Sequence, residues 1–244
     1  MLSSRDSLAR QIVTSIRLGQ LEVLRQILAV HPDLPSSWIG EDGPGGQLRS
    51  LLHVATDWPG HFPHVGEVIT LLVEAGADVN ARFRGAHTET PLHWAASSDD
   101  VEALDALLDA GADIDAAGGV VGDGTPLNDA TAFAQWDAAR RLMDRGARAN
   151  VFDLAALGLT ARALAIVDQP DVSADELNSG FWASCHGSQL ETAQALRERG
   201  ADLNWLPPWE AATPLDAAVR SADDRLVSWL RALDAKSGAD VTDS

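Results

Sequence analysis

A chain of 244 residues with a formal net charge of −18 and one cysteine excludes several jobs at once. The charge opposes binding to nucleic acid phosphates or to an anionic membrane. The lone Cys185 excludes internal disulfides and fits a reducing, cytoplasmic compartment. No run reaches the roughly 18 apolar residues of a membrane span, and the opening MLSSRDSLAR has no apolar segment of a secretory signal.

Taken in order, residues 5–37 predict two helices lined by Ile12, Ile16, Leu21, Leu24, Ile27 and Leu28, broken near Gly19-Gln20 and stopped by Pro32 and Pro35. Residues 38–46, WIGEDGPGG, read as a glycine-rich loop outside the core. A second helix pair is expected over 50–82, with Leu52-His53-Val54-Ala55 opening it and an insertion, residues 57–64 (DWPGHFPH), between its helices. The third, 88–117, is the clearest. Thr90-Pro91-Leu92-His93 starts a helix, with proline at a position whose N–H has no intrahelical partner. Val101, Leu104, Leu107 and Leu108 form the stripe of the next helix, and Gly111 ends it. The fourth pair spans 124–150, with Asp129 in the register of Trp94. The fifth, 151–177, is degenerate, and the sixth is 178–204. Residues 212–236 are a C-terminal unit, followed by a frayed tail, 237–244.

Two motifs recur through these units. TPLHWAA returns as TPLNDAT and TPLDAAV, and AGADVN returns as AGADID, RGARAN and RGADLN. The chain thereby resembles the ankyrin repeat, in a bacterial-type form, whose period is about 33 residues and whose signature is T-P-L-H-x-A. The resemblance implies an all-α solenoid of about seven helix-turn-helix units with short hairpin loops, forming one domain over 1–236 with 5–37 as an N-terminal cap-like unit. It implies that His53 and His93 bond backbone groups of neighbouring turns. It also implies that loop tips and first helices form a concave binding surface.

Several residues outside the repeat pattern bear on function. Eight tryptophans and no tyrosine are present. Trp136 and Trp229 read as core, whereas Trp58, Trp94, Trp182, Trp205 and Trp209 are expected on the binding side. His61, His64, Arg82, Arg84, His87 and His186 would accompany them as aromatic or charged anchors. No lysine or arginine occurs between Arg84 and Arg140, while acids abound there. The expected partner is therefore a protein with a basic or cationic surface, held by carboxylates and by cation–π attraction. The alternative is an enzyme or small-molecule binder performing acid–base chemistry through Asp57, His61, Asp129 and His186, with His64, His87 and Glu210 nearby. No nucleotide or nucleophile-elbow motif appears, and no cofactor or metal is expected. His61 and His64 are three apart, but Pro59, Gly60 and Pro63 put them in a loop. The neighbours Cys185 and His186 would point about 100° apart on a helix.

Overall fold

The computed structural model describes residues 1–41 and 45–242. It is mostly helical and falls into two compact bodies, each described by itself. The N-terminal body, residues 1–148, contains α1 (Ser7–Arg17), α2 (Leu21–Val30), β1 (Trp38–Gly40), β2 (Leu48–Ser50), α3 (Leu51–Ala55), α4 (Val65–Glu74), α5 (Pro91–Ser97), α6 (Val101–Asp109), α7 (Pro126–Ala132) and α8 (Trp136–Asp144). The C-terminal body, from Ala149 onward, contains α9 (Val151–Ala156), α10 (Thr160–Val167), α11 (Ala174–His186), α12 (Leu190–Glu198), α13 (Pro214–Arg220), α14 (Asp224–Ala232) and α15 (Gly238–Thr242).

After α1, the first helices of the pairs start the same way. A capping box closes α3 (Ser50, His53), α5 (Thr90, His93), α7 (Thr125, Asn128), α9 (Asn150, Asp153), α11 (Ser173, Glu176) and α13 (Thr213, Asp216). Each satisfies two N–H groups that a helix start leaves without partners. The turns after the first helices are also alike. A residue in the left-handed region stands at Gly19, His64, Asp99, Ala134, Gly158, Ser188 and Ala222. In six of these turns the next N–H reaches back five residues, as Asp100 to the Ala95 carbonyl at 3.0 Å and Gln135 to that of Ala130 at 2.8 Å. This closes the helix end with its last carbonyls bonded. Gly76, Gly111, Gly146 and Gly200 end second helices with positive φ, as the sequence predicts for Gly111.

The recurring AGAD segment also has a structural reason. Its sixth residue bonds the main chain of the next helix pair. Asn80 accepts from Asp113 N at 2.8 Å, Asp115 from Arg148 N at 2.8 Å, and Asn204 from Lys236 N at 2.8 Å. The core lies between first and second helices. Leu52, Leu92, Leu104, Leu107, Leu127 and Leu142 are fully buried in the N-terminal body, and Phe181, Leu196, Leu226 and Leu230 in the other. Each such side chain contributes about 1.5–3 kcal/mol relative to exposure. Val101 and Leu108 are only half-buried, and Ala103 takes their place at the interface.

Four expectations need correction. Residues 38–46 are not a plain loop: β1 pairs antiparallel with β2, Ile39 opposite Arg49, and Ile39 and Leu48 are buried. The reason is distant in sequence. Leu2 bonds Trp38 and Gly40, and Arg84 exchanges two bonds with Leu48, so both edges of the hairpin are satisfied. Residues 42–44 of that segment lie outside the described residues. The expected boundary between 177 and 178 falls inside α11, because the capping box of Ser173 and Glu176 starts that helix four residues earlier, at Ala174. The segment after residue 236 forms α15, anchored by Gly238 N donating to Asp216 at 2.7 Å; residues 243 and 244 lie outside the described residues. Trp136 and Trp229 are half-buried rather than core.

Candidate functional site

The N-terminal body brings three positions of consecutive helix pairs to one point. Glu89 immediately precedes the capping residue of α5, Trp94 lies on α5, and Asp129 lies on α7. Glu89 is 5% exposed and Asp129 fully buried. Glu89 Oε2 accepts the Trp94 indole N–H at 2.9 Å, and His87 Nδ1 lies 2.7 Å from the same oxygen. Phe83 stacks on His87 at 4.6 Å between ring centroids and tilts against Trp94 at 5.4 Å; the His53 ring meets Trp94 edge-on at 4.8 Å. The carboxylate therefore sits in an aromatic surround.

Asp129 stands behind it. No N–H or O–H of the described residues bonds either of its oxygens with full geometry. Its side-chain partner is the Glu89 carboxylate, an acceptor meeting an acceptor. Such a contact needs a proton between the oxygens. Burial and the Glu89 charge together push the Asp129 carboxyl up to about 8, against which the Val121 N–H is a weaker influence. Asp129, the more deeply buried of the two, is the acid that holds the proton. Gly119 makes this possible: a Cβ there would lie 2.8 Å from both Asp129 oxygens.

A cavity of about 260 Å³ opens in front of Glu89. Trp94, Ser97 and Ser98 form one wall, and Trp58, Val120 and Phe133 form the rim. The rim is solvent-facing: Trp58 is 80% exposed, Val120 48% and Phe133 45%.

The other sequence-predicted residues have varied fates. Asp57 also borders this cavity, but its carboxylate accepts from Arg17 at 2.5 Å and Arg49 at 2.6 Å. It is a salt-bridge centre and no free base. His61 has φ 55°, its N–H donates to Asp100 at 2.6 Å, and its Nε2 meets the Ser98 carbonyl at 3.1 Å. His64 occupies the left-handed turn before α4 and faces Glu67. Both shape the inserted loop. Among the described residues no three His, Cys, Asp or Glu groups are placed to share a metal ion. Arg82 donates to the Thr88 and Ala117 carbonyls, and the Arg84 guanidinium lies 4.1 Å from the Trp38 ring centroid.

In the C-terminal body Trp182 is 3% exposed, donates its indole N–H to the Ala212 carbonyl at 2.9 Å and stacks between Phe152 and His186. Trp209 meets both Trp182 and Trp205 edge-on. Trp182 and His186 are thus buried packing; Trp205 and Trp209 border a separate surface cavity of about 450 Å³. Glu210 pairs with Arg220 at 3.0 Å. Cys185 is fully buried, and burial raises its thiol far from reactive. Asp129 and His186 belong to different bodies, so the four-residue acid–base set is not assembled by either one.

His53 and His93 join the helix pairs. Thr90 N donates to His93 Nδ1 at 3.1 Å, so the proton of the neutral ring sits on Nε2 and donates to the Gly124 carbonyl at 3.2 Å. His53 does the same with Ser50 N, at 3.3 Å, and the Glu89 carbonyl, at 3.1 Å. Burial lowers both rings to about 4. A TPLH box whose histidine bonds the following helix pair is a specific arrangement, and a family model of ankyrin repeats, in three copies, matches residues 12–118 and 52–153, together more than half of the chain.

The chain belongs to the ankyrin repeat family.

No curated protein shows significant similarity to it. Ankyrin repeats generally mediate protein–protein binding. No helix among the described residues is long and apolar enough to cross a membrane. Within the ankyrin pattern, Glu89 is the residue that sequence reasoning missed. The available signal was Asp129 in the register of Trp94: equivalent positions of adjacent repeats are neighbours, and a buried acid there requires a partner.

Proposed function

We propose that this ankyrin repeat chain is a protein-binding module whose N-terminal body captures a basic segment of its partner at the Glu89 cavity. The observation that carries the reading is the contrast between rim and floor. Three exposed apolar side chains, Trp58, Val120 and Phe133, surround a carboxylate that is itself almost wholly buried. Exposed aromatics around a charged floor are an anchor site for a cation with an apolar stem. The net charge of −18 draws such a partner in. Asp57 is occupied by Arg17 and Arg49, which leaves the acid–base alternative without its expected base.

The reading extends the repeats through the whole chain, as about seven units forming a solenoid and one domain, in a cytoplasmic and bacterial setting. The seven left-handed turns, from Gly19 to Ala222, support that count. Trp205 and Trp209, at their own surface cavity, are a separate candidate contact region of the C-terminal body.

The test is selection of a random peptide library on the full chain. Bound peptides should be enriched in lysine and arginine and depleted of acids, and the variant Trp58→Ala with Phe133→Ala should release them at least tenfold faster. Enrichment of acidic or neutral peptides, or equal retention by the double variant, overturns the assignment.

A further inference from the structure

We propose that the cavity before Glu89 takes one primary ammonium, the head of a lysine side chain of the partner, and that this ammonium displaces the proton shared by Glu89 and Asp129. It rests on the preceding reading of a basic partner.

The geometry selects the head group. Glu89 lines the cavity, while Asp129 lies behind it against Gly119. Glu89 Oε2 accepts the Trp94 indole N–H and has His87 Nδ1 crowded against it at 2.7 Å, so the other oxygen is the one with room for a ligand. A guanidinium needs two oxygens to use its planar fork, whereas an ammonium is a compact charge with three independent donors. A second donor has a place to go. The Ser97 hydroxyl oxygen borders the same cavity, buried and without a partner among the described residues. A quaternary ammonium has no N–H to offer it. The four-carbon stem of lysine then lies between the faces of Trp58 and Phe133 at the rim.

The displacement follows from charge. With the cavity empty, the pair holds one proton between two buried acids. A cation against Glu89 replaces that proton's field, so the Asp129 O–H ionises and its proton leaves to solvent while the ammonium N–H bonds Glu89. The other charged or titratable groups around the pair are His87, His53 and His93, with Asp57, Arg49, Arg82 and Asp123. His53 and His93 are bonded as neutral rings, and Asp57 is neutralised by Arg17 and Arg49. His87 is the one group that needs a control.

The experiment is titration of the full chain with n-butylammonium chloride, followed at the indole N–H resonances of its eight tryptophans. The Trp94 resonance should shift saturably. Affinity should strengthen by up to tenfold per pH unit from pH 7 to 8 and level off above, the signature of one released proton. The slope should persist in His87→Gln and vanish in Asp129→Asn, and Glu89→Gln should abolish the Trp94 shift. Equal affinity for tetramethylammonium overturns the choice of a primary ammonium. An Asp129→Asn slope equal to the wild type overturns the proton displacement while basic peptides are still held at the rim. Failure of both the amine and the peptides to touch Trp58 and Trp94 removes this proposal and the basic-partner reading together.

Discussion

Asp129→Asn should make the protein more stable in mild alkali. The carboxyl titrates at 3.8 when free and at about 8 in the fold. Between those values the folded chain holds a proton that the unfolded chain has lost. Stability therefore falls as pH rises through this window and becomes flat above it. From pH 6.5 to 8 the loss is at most about 2 kcal/mol, at about 1.4 kcal/mol for each pH unit. Asparagine has the shape of the protonated acid, and its amide N–H can donate to Glu89 at every pH. The stability difference between variant and wild type should accordingly widen, in the variant's favour, by about 1–2 kcal/mol from pH 6.5 to 8 and then hold constant. Urea unfolding at fixed ionic strength, at pH 6.5, 7.2, 8.0 and 8.8, measures it. A difference that stays the same at all four values would refute the shared proton.

Four further outcomes are expected. His93→Ala leaves the Thr90 N–H without its acceptor and takes one of two donors from the Gly124 carbonyl, which keeps the Gly119 N–H, and should cost about 1–3 kcal/mol at neutral pH in urea unfolding. The same ring titrates at about 4 in the fold against 6.5 when free, so it is a source of stability lost as pH falls from 6.5 toward 4; the variant should show a shallower acid slope. Gly119→Ala drives a methyl to 2.8 Å from both Asp129 oxygens and should lower stability by about 1–3 kcal/mol; an unchanged urea midpoint would show that the α7 carboxyl has room to move. Asp57→Asn breaks two half-exposed ion pairs and should cost about 1 kcal/mol or less, with peptide binding changed less than about twofold; a loss of about a hundredfold in peptide affinity would return Asp57 to a direct role.

Much of the fold is legible in the sequence because the signals are local and repeated. Thr90-Pro91 fixes a helix start, Gly111 fixes a helix end, and the spacing between copies orders the pairs. The hairpin of β1 and β2 is hidden because its edges are completed by Leu2 and Arg84, far along the chain. The site is legible only in part. Trp58 and Trp94 stand out as aromatics, and Asp129 as a polar residue in a bulky register. Glu89 does not, since it lies just outside a helix and its meaning comes from Trp94 and Asp129, each on a different face of the join. His61 and His64 mislead in the opposite direction. Their imidazoles invite a chemical role, but the backbone there needs left-handed turns, and Asp100, Ser98 and Glu67 engage them. Trp182 is a large aromatic that packs inward because Ala212 offers its indole N–H an acceptor.

Repeat arrays are ordinarily open to shuffling, since each module meets only a neighbour of the same kind. The joint between the module of α5 and that of α7 is different. Glu89 and Trp94 come from one side of it and Asp129 from the other, and none of the three has an equivalent in the remaining modules that would substitute for it. Inserting a consensus module at this joint would strand a buried acid without its companion, whereas an insertion between α12 and α13 would part a neutral pair, the Trp182 indole N–H and the Ala212 carbonyl. On the proposed reading of the Glu89 cavity, the order of the modules here is part of what the protein recognises.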